Sequence, residues 1–107
     1  PACYSTTFEV TFGAVCGTSL AAYKSNIQPV PHGLDYVMLM RPVTFAWRAN
    51  GQHDLGLIAD EVAAIDPLLG AYDAAGNLYN FRDRPVLATL VKAVQELNAK
   101  VQVLESR

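Results

Sequence analysis

The chain has 107 residues, with 8 basic and 10 acidic side chains for a formal charge of −2, and it is 51% apolar but only 17% charged. That length fits one domain, or one domain with an appended segment, and the composition is too hydrophobic for disorder. The sparse, scattered charges argue against a nucleic-acid grip built on phosphate neutralisation. No apolar run approaches the roughly 20 residues that span a bilayer, and no basic-then-apolar leader is present, so no membrane partner is expected.

The first 18 residues stand apart. They carry one charge, Glu9, whereas the other 17 fall between Lys24 and Arg107. Tyr4, Thr6, Phe8, Val10, Phe12 and Ala14 alternate with Ser5, Thr7, Glu9 and Thr11. That period of two, rich in aromatic and β-branched residues, predicts a strand. A lone strand does not stand in water, so this one must pair with something else. Cys3 and Cys16 lie in the same segment. Without a Cys-x-x-Cys or a histidine at ligand spacing they do not read as a zinc or redox site. Two reduced thiols behaving as small hydrophobes are expected, with a disulfide between them left open. Gly17-Thr18-Ser19 then signals a loop.

Leu20 to Ser25 suits a helical turn or a short strand, and Gln28-Pro29-Val30-Pro31-His32-Gly33 is too interrupted for regular structure. Leu34 to Met40 predicts a short buried helix that stops before Arg41-Pro42. Val43 to Trp47 alternates as a strand, is closed by an Asn50-Gly51 turn, and finds its antiparallel partner in Leu55 to Ile58. Asp60 to Ile65 reads as a helix with acidic residues in its first turn, ended by Asp66-Pro67. Tyr72 and Leu78 to Phe81 flank Asp73-Ala74-Ala75-Gly76-Asn77, which is hairpin chemistry.

The strongest pattern is C-terminal. Pro85 suits a first helical residue, and no glycine or proline follows it, so a helix is expected over about residues 85–107. Leu87, Leu90, Val94, Leu97, Val101 and Leu104 recur at alternating spacings of 3 and 4, with Leu87, Val94 and Val101 at a and Leu90, Leu97 and Leu104 at d. A helix that only packs on its own domain usually shows a broader apolar face. The stripe therefore predicts self-association, and by the a/d preferences alone it leans toward a dimer. Glu96 and Lys100 are spaced for an i,i+4 ion pair.

Candidates for chemistry are few. His32 and His53 sit beside turns without ligand partners and read as exposed loop residues. Asp60-Glu61 reads as first-turn charge, and Trp47 with Phe45 as core. Ser19 and Lys24 remain. They lie where the nearly uncharged strand meets the charged domain. A lysine serves as general base for a serine when burial lowers its pKa from about 10.4 toward 7 to 8. Taken alone, the pair reads better as an exposed lysine and a loop serine.

The motifs carry a resemblance. Ser19-x4-Lys24-x-Asn26-Ile27-x-Pro29 is followed by Leu39-x-Arg41-Pro42-Val43-Thr44-Phe45-x-Trp47. Gly56-Leu57-Ile58-Ala59-x-Glu61-Val62 and Pro67 come next, and Lys92-Ala93-Val94-Gln95-Glu96-Leu97 closes the series. In this order they are similar to the intramolecular chaperone auto-processing domain that ends phage tailspikes, endosialidases, neck appendages and tail fibres. The similarity runs over residues 19–107.

The resemblance implies an α+β fold: small β-hairpins and short helices, then a long C-terminal helix in a trimeric coiled coil. Residues 1–18 become the end of a β-rich stalk and residues 19–107 the chaperone. It implies a homotrimer whose seam is Leu87, Leu90, Val94, Leu97, Val101 and Leu104, and whose partners are itself and the upstream stalk of the same chain. No cofactor, metal or nucleic acid is implied, and a host glycan is met only through the parent fibre. Self-cleavage is implied between Thr18 and Ser19, with Ser19 as nucleophile and Lys24 as base, a single-turnover serine peptidase without external substrate. Assembly takes place in the bacterial host cytoplasm, and the chaperone leaves the virion fibre precursor after the cut. Leu20 stands where the family's serine is usually followed by an aspartate, which keeps a second reading open: a permanent trimerisation tip that does not cut. A third reading is a receptor-binding tip that uses Trp47, Tyr72 and Tyr79.

Overall fold

The computed structural model describes residues 19–107. The strand expected over residues 4–14, both cysteines and Thr18 lie outside the described residues. The architecture is α+β: two separate antiparallel hairpins, two short helices and one long C-terminal helix.

The chain begins with an exposed segment holding a 3-10 turn at Ala21–Tyr23 and reaches helix α1, Leu34–Val37. That helix is shorter and less buried than expected, with Met38 and Leu39 largely exposed. Strands β1 (Val43–Ala46) and β2 (His53–Gly56) pair with Val43 opposite Gly56 and Ala46 opposite His53. The partner strand thus starts at His53, not Leu55. The turn explains the shift: Gly51 takes a φ of 73°, its N–H donates to the Trp47 carbonyl at 2.7 Å, and the Trp47 N–H donates to the Gln52 carbonyl at 2.9 Å. Closure is so tight that pairing resumes at once, and Leu57 and Ile58 are left to lead into the next helix.

Helix α2 (Ala59–Ile65) has Asp60 and Glu61 in its first turn. Asp66 ends it and opens a 3-10 turn at Pro67–Leu69, its carboxylate accepting the Leu68 N–H at 2.9 Å. Strands β3 (Gly70–Tyr72) and β4 (Leu78–Phe81) form the second hairpin. Its loop is held by Asp73, whose side chain accepts the N–H groups of Ala75 and Asn77 at 3.0 and 2.9 Å, while Gly76 supplies a φ of 89°. Helix α3 spans Asp83–Glu105 and so opens before Pro85. Proline is tolerated there because N–H groups of the first turn have no partner to lose.

Packing is concentrated where α1 and the Pro67–Leu69 turn meet α3, and where α2 lies against that turn and the second hairpin. Among the described residues the buried apolar side chains are Val62, Leu69 and Ala93, joined by Thr89, whose hydroxyl donates to the Pro85 carbonyl at 2.8 Å. Trp47 is not core: it is 50% exposed, packs edge-on against Phe45, and donates its indole N–H to Asp54 at 3.1 Å. The β1–β2 hairpin is too narrow to cover an indole by itself.

Candidate functional site

Ser19 and Lys24 meet. The lysine Nζ donates to the serine Oγ at 2.7 Å. The intervening chain makes this possible. The Tyr23 N–H bonds to the Leu20 carbonyl at 3.1 Å and the Lys24 N–H to the Ala21 carbonyl at 3.0 Å, folding residues 21–23 into a single 3-10 turn between extended flanks. The two side chains return to the same side of that turn, within the distance a proton transfer needs. Their surroundings are open, since residues 19–31 are all exposed and the apolar neighbours Leu20, Tyr23 and Ile27 are each more than half exposed.

The exposed arm ends at a tight clasp. Gly33 is the first buried residue after the serine and lysine, and a Cβ there would sit 2.8 Å from the Ala93 backbone nitrogen and 2.7 Å from Glu96 Oε1. Only glycine fits such an approach of backbone to helix. The Leu34 N–H donates to Glu96 Oε1 at 2.7 Å, and Asp35 accepts the N–H groups of Gly33 and Tyr36. Glu96 is therefore committed to α1 and does not make the expected pair with Lys100, because a backbone donor on the packed face outcompetes a solvated ammonium.

His32 is not a bare loop residue. It bonds Asp35 at 2.8 Å and stacks on Tyr36 with ring centroids 4.3 Å apart. The His32 contact holds the Asp35 carboxyl below its usual range. The Tyr36 hydroxyl donates to Asp66 at 2.8 Å, tying α1 to the end of α2. The Leu68 N–H and then this hydroxyl keep the Asp66 carboxyl low, and the same bond pushes the Tyr36 phenol up. His53 is exposed on β2.

Two motifs separated in sequence are joined by Arg41, which donates to both carboxylate oxygens of Glu61 at 3.2 and 2.6 Å. The pairing lowers the glutamate and raises the guanidinium. Its exposure limits it to orienting α2. Tyr72 and Tyr79 are exposed on the second hairpin, in a different sheet from Trp47 and its hairpin.

Helix α3 carries two different faces. Thr89, Ala93 and Glu96 face the domain. Leu87, Leu90, Val94, Leu97, Val101 and Leu104 lie roughly a third of a turn away at about 100° per residue, and every one of them is exposed, Leu104 at 62%. The domain does not cover its own heptad stripe. Among the described residues no cluster of His, Cys, Asp and Glu suits a metal, and no helix is long and apolar enough to cross a membrane.

Fold and site together describe a small α+β domain with a long helix and a Ser–Lys pair at its entry. Residues 21–71 match the family model described as chaperone of endosialidase. The resemblance drawn from the motifs is borne out, and the match supports an intramolecular chaperone domain. Lys24 lies inside the matched stretch and Ser19 just before it. No curated protein matches the chain.

Sequence reasoning missed Gly33 and Glu96. The only local signal was the spacing of Thr89, Ala93 and Glu96 on α3, which marks a helix face with small residues that admits close backbone approach.

Proposed function

We propose that this domain is the C-terminal intramolecular chaperone of a phage tail fibre or tailspike. Three copies associate through α3, align the ends of the β-rich stalk to which residues 1–18 belong, and are then released by self-cleavage. The observation that carries this reading is the bare heptad stripe, six large apolar side chains that the domain leaves in water. Exposed apolar surface of that extent marks an association site.

Intertwined stalks are slow to find register because their contacts are distant in sequence. A clamp that holds three strand ends together raises their effective concentration. Removing it afterwards leaves an assembly that unfolds over a high barrier and has lost its means of re-registering.

In the cut, Ser19 Oγ attacks the Thr18 carbonyl carbon while Lys24 Nζ, as the neutral amine, takes the hydroxyl proton. The tetrahedral adduct expels the Ser19 amide nitrogen, which receives that proton back from the lysine, and Thr18 is left as an ester on Ser19 Oγ. Water hydrolyses the ester to the Thr18 carboxylate and the free Ser19 hydroxyl. Docking of neighbouring copies over Leu20, Tyr23 and Ile27 would bury the amine, so the chemistry waits for assembly.

A second reading is favoured by Leu20, which cannot stabilise a protonated lysine as an aspartate there would. In it the same clamp stays joined to its stalk. Intact-mass spectrometry of the expressed chain beside Ser19→Ala and Lys24→Ala decides. A product beginning at Ser19 in the wild type and absent from both variants establishes the cut. An uncut trimer establishes the permanent tip, and an uncut monomer overturns both readings.

A further inference from the structure

We infer that Glu96 is the positioning residue of the Ser19–Lys24 pair, holding the arm that carries it onto the helix through which the copies associate; this rests on the self-cleavage reading above. Residues 19–31 are exposed throughout, and the arm does not pack flush against α3. Between Pro29 and Val30 on one side and Leu87, Ala88 and Val91 on the other lies an open, mainly apolar groove of about 460 Å³. The first buried point is Gly33, wedged against the Ala93 backbone.

At that point the chain also turns into α1, whose first N–H groups need acceptors. Asp35 serves Gly33 and Tyr36 from within α1. The Leu34 N–H is served from 62 residues away, by Glu96 at 2.7 Å. A charge-assisted bond at the base of an otherwise exposed arm sets the direction in which that arm leaves the helix. Glu96 lies between Val94 and Leu97, two members of the heptad stripe. Helix association and arm direction are therefore set by the same turn of α3.

The test measures cleavage rate and arm geometry separately. Glu96→Ala is expected to form the same oligomer as the wild type by light scattering but to cleave about tenfold more slowly or worse, the consequence of losing one charge-assisted bond. The midpoint of its pH–rate profile stays where the wild type's is, because Glu96 exchanges no proton with the pair. Glu96→Gln, whose amide oxygen still accepts the Leu34 N–H, restores most of the rate. Wild-type cleavage by Glu96→Ala, or no rescue by glutamine, overturns the inference.

Spin labels on Ser25→Cys and Lys100→Cys, in a Cys3→Ser, Cys16→Ser and Ser19→Ala background diluted with unlabelled chain, read the arm without any cut. The distance distribution should be narrow when Glu96 is intact, nearly as narrow in Glu96→Gln, and broad in Glu96→Ala. A narrow distribution in Glu96→Ala overturns the positioning role even if the wild type never cleaves. Failure of the wild type to cut, with the arm broadened as expected, would instead overturn only the self-cleavage reading.

Discussion

The two faces of α3 invert the usual rule of helix packing. The face turned to the domain holds Thr89, Ala93 and a glutamate, while the face turned to solvent holds four leucines and two valines. Small residues inside let the backbone of Gly33 approach closely and leave polar clasps to fix the geometry. Large residues outside are matched to nothing among the described residues. Internal packing thus fixes where the helix sits, and on the proposed reading the exposed apolar stripe is the surface that other copies would cover.

Breaking the outer face should have the largest effect. Leu90→Asp together with Leu97→Asp puts two carboxylates into the stripe. The pair is expected to abolish association, seen as a fall to monomer mass by light scattering, and to stop the cut with it. A variant that remains oligomeric would locate the interface elsewhere. Breaking the inner face should cost less and cost differently. Ala93→Leu overfills a site where Gly33 already touches backbone, and a loss of about 1–3 kcal/mol is expected from denaturant unfolding. Its oligomer should survive at concentrations where the folded form persists.

The smallest effect is acidic pH, which sharpens the contrast because the outer stripe carries no titratable group. The carboxyls of Asp35, Asp66 and Asp73 are all held low, by the His32 bond, the Leu68 N–H and the Asn77 N–H respectively. A depressed folded-state pKa gives stability that is full above the unfolded carboxylate range near pH ~4 and is lost as pH falls through the folded value. Thermal midpoints should therefore be flat above about pH 5 and decline below about pH 4. Asp66→Asn, which keeps the fold of the turn while removing the charge, should flatten part of that decline.

Local chemistry made much of the fold legible. Asn50-Gly51 and Asp73 to Asn77 announced their turns, the acidic start and Asp66-Pro67 stop bounded α2, and the uninterrupted run after Pro85 announced α3. The errors came from context. The register of β2 depends on how tightly the Trp47–Gln52 loop closes, and Trp47 looked like core because composition does not show that its hairpin is narrow. The Ser19–Lys24 meeting is local, spanning one 3-10 turn, and motif reading reached both residues. The Leu34–Glu96 bond joins residues 62 apart, and no periodicity reports such a contact. The i,i+4 spacing to Lys100 even suggested a different partner for the glutamate.

Among the described residues the buried apolar side chains are only Val62, Leu69 and Ala93, and that has a calorimetric consequence. Unfolding a lone copy exposes little new hydrocarbon, so its heat-capacity increment should be small and its transition broad. Once copies associate, dissociation joins unfolding, the increment grows with the newly wetted stripe, and the melting temperature climbs with protein concentration.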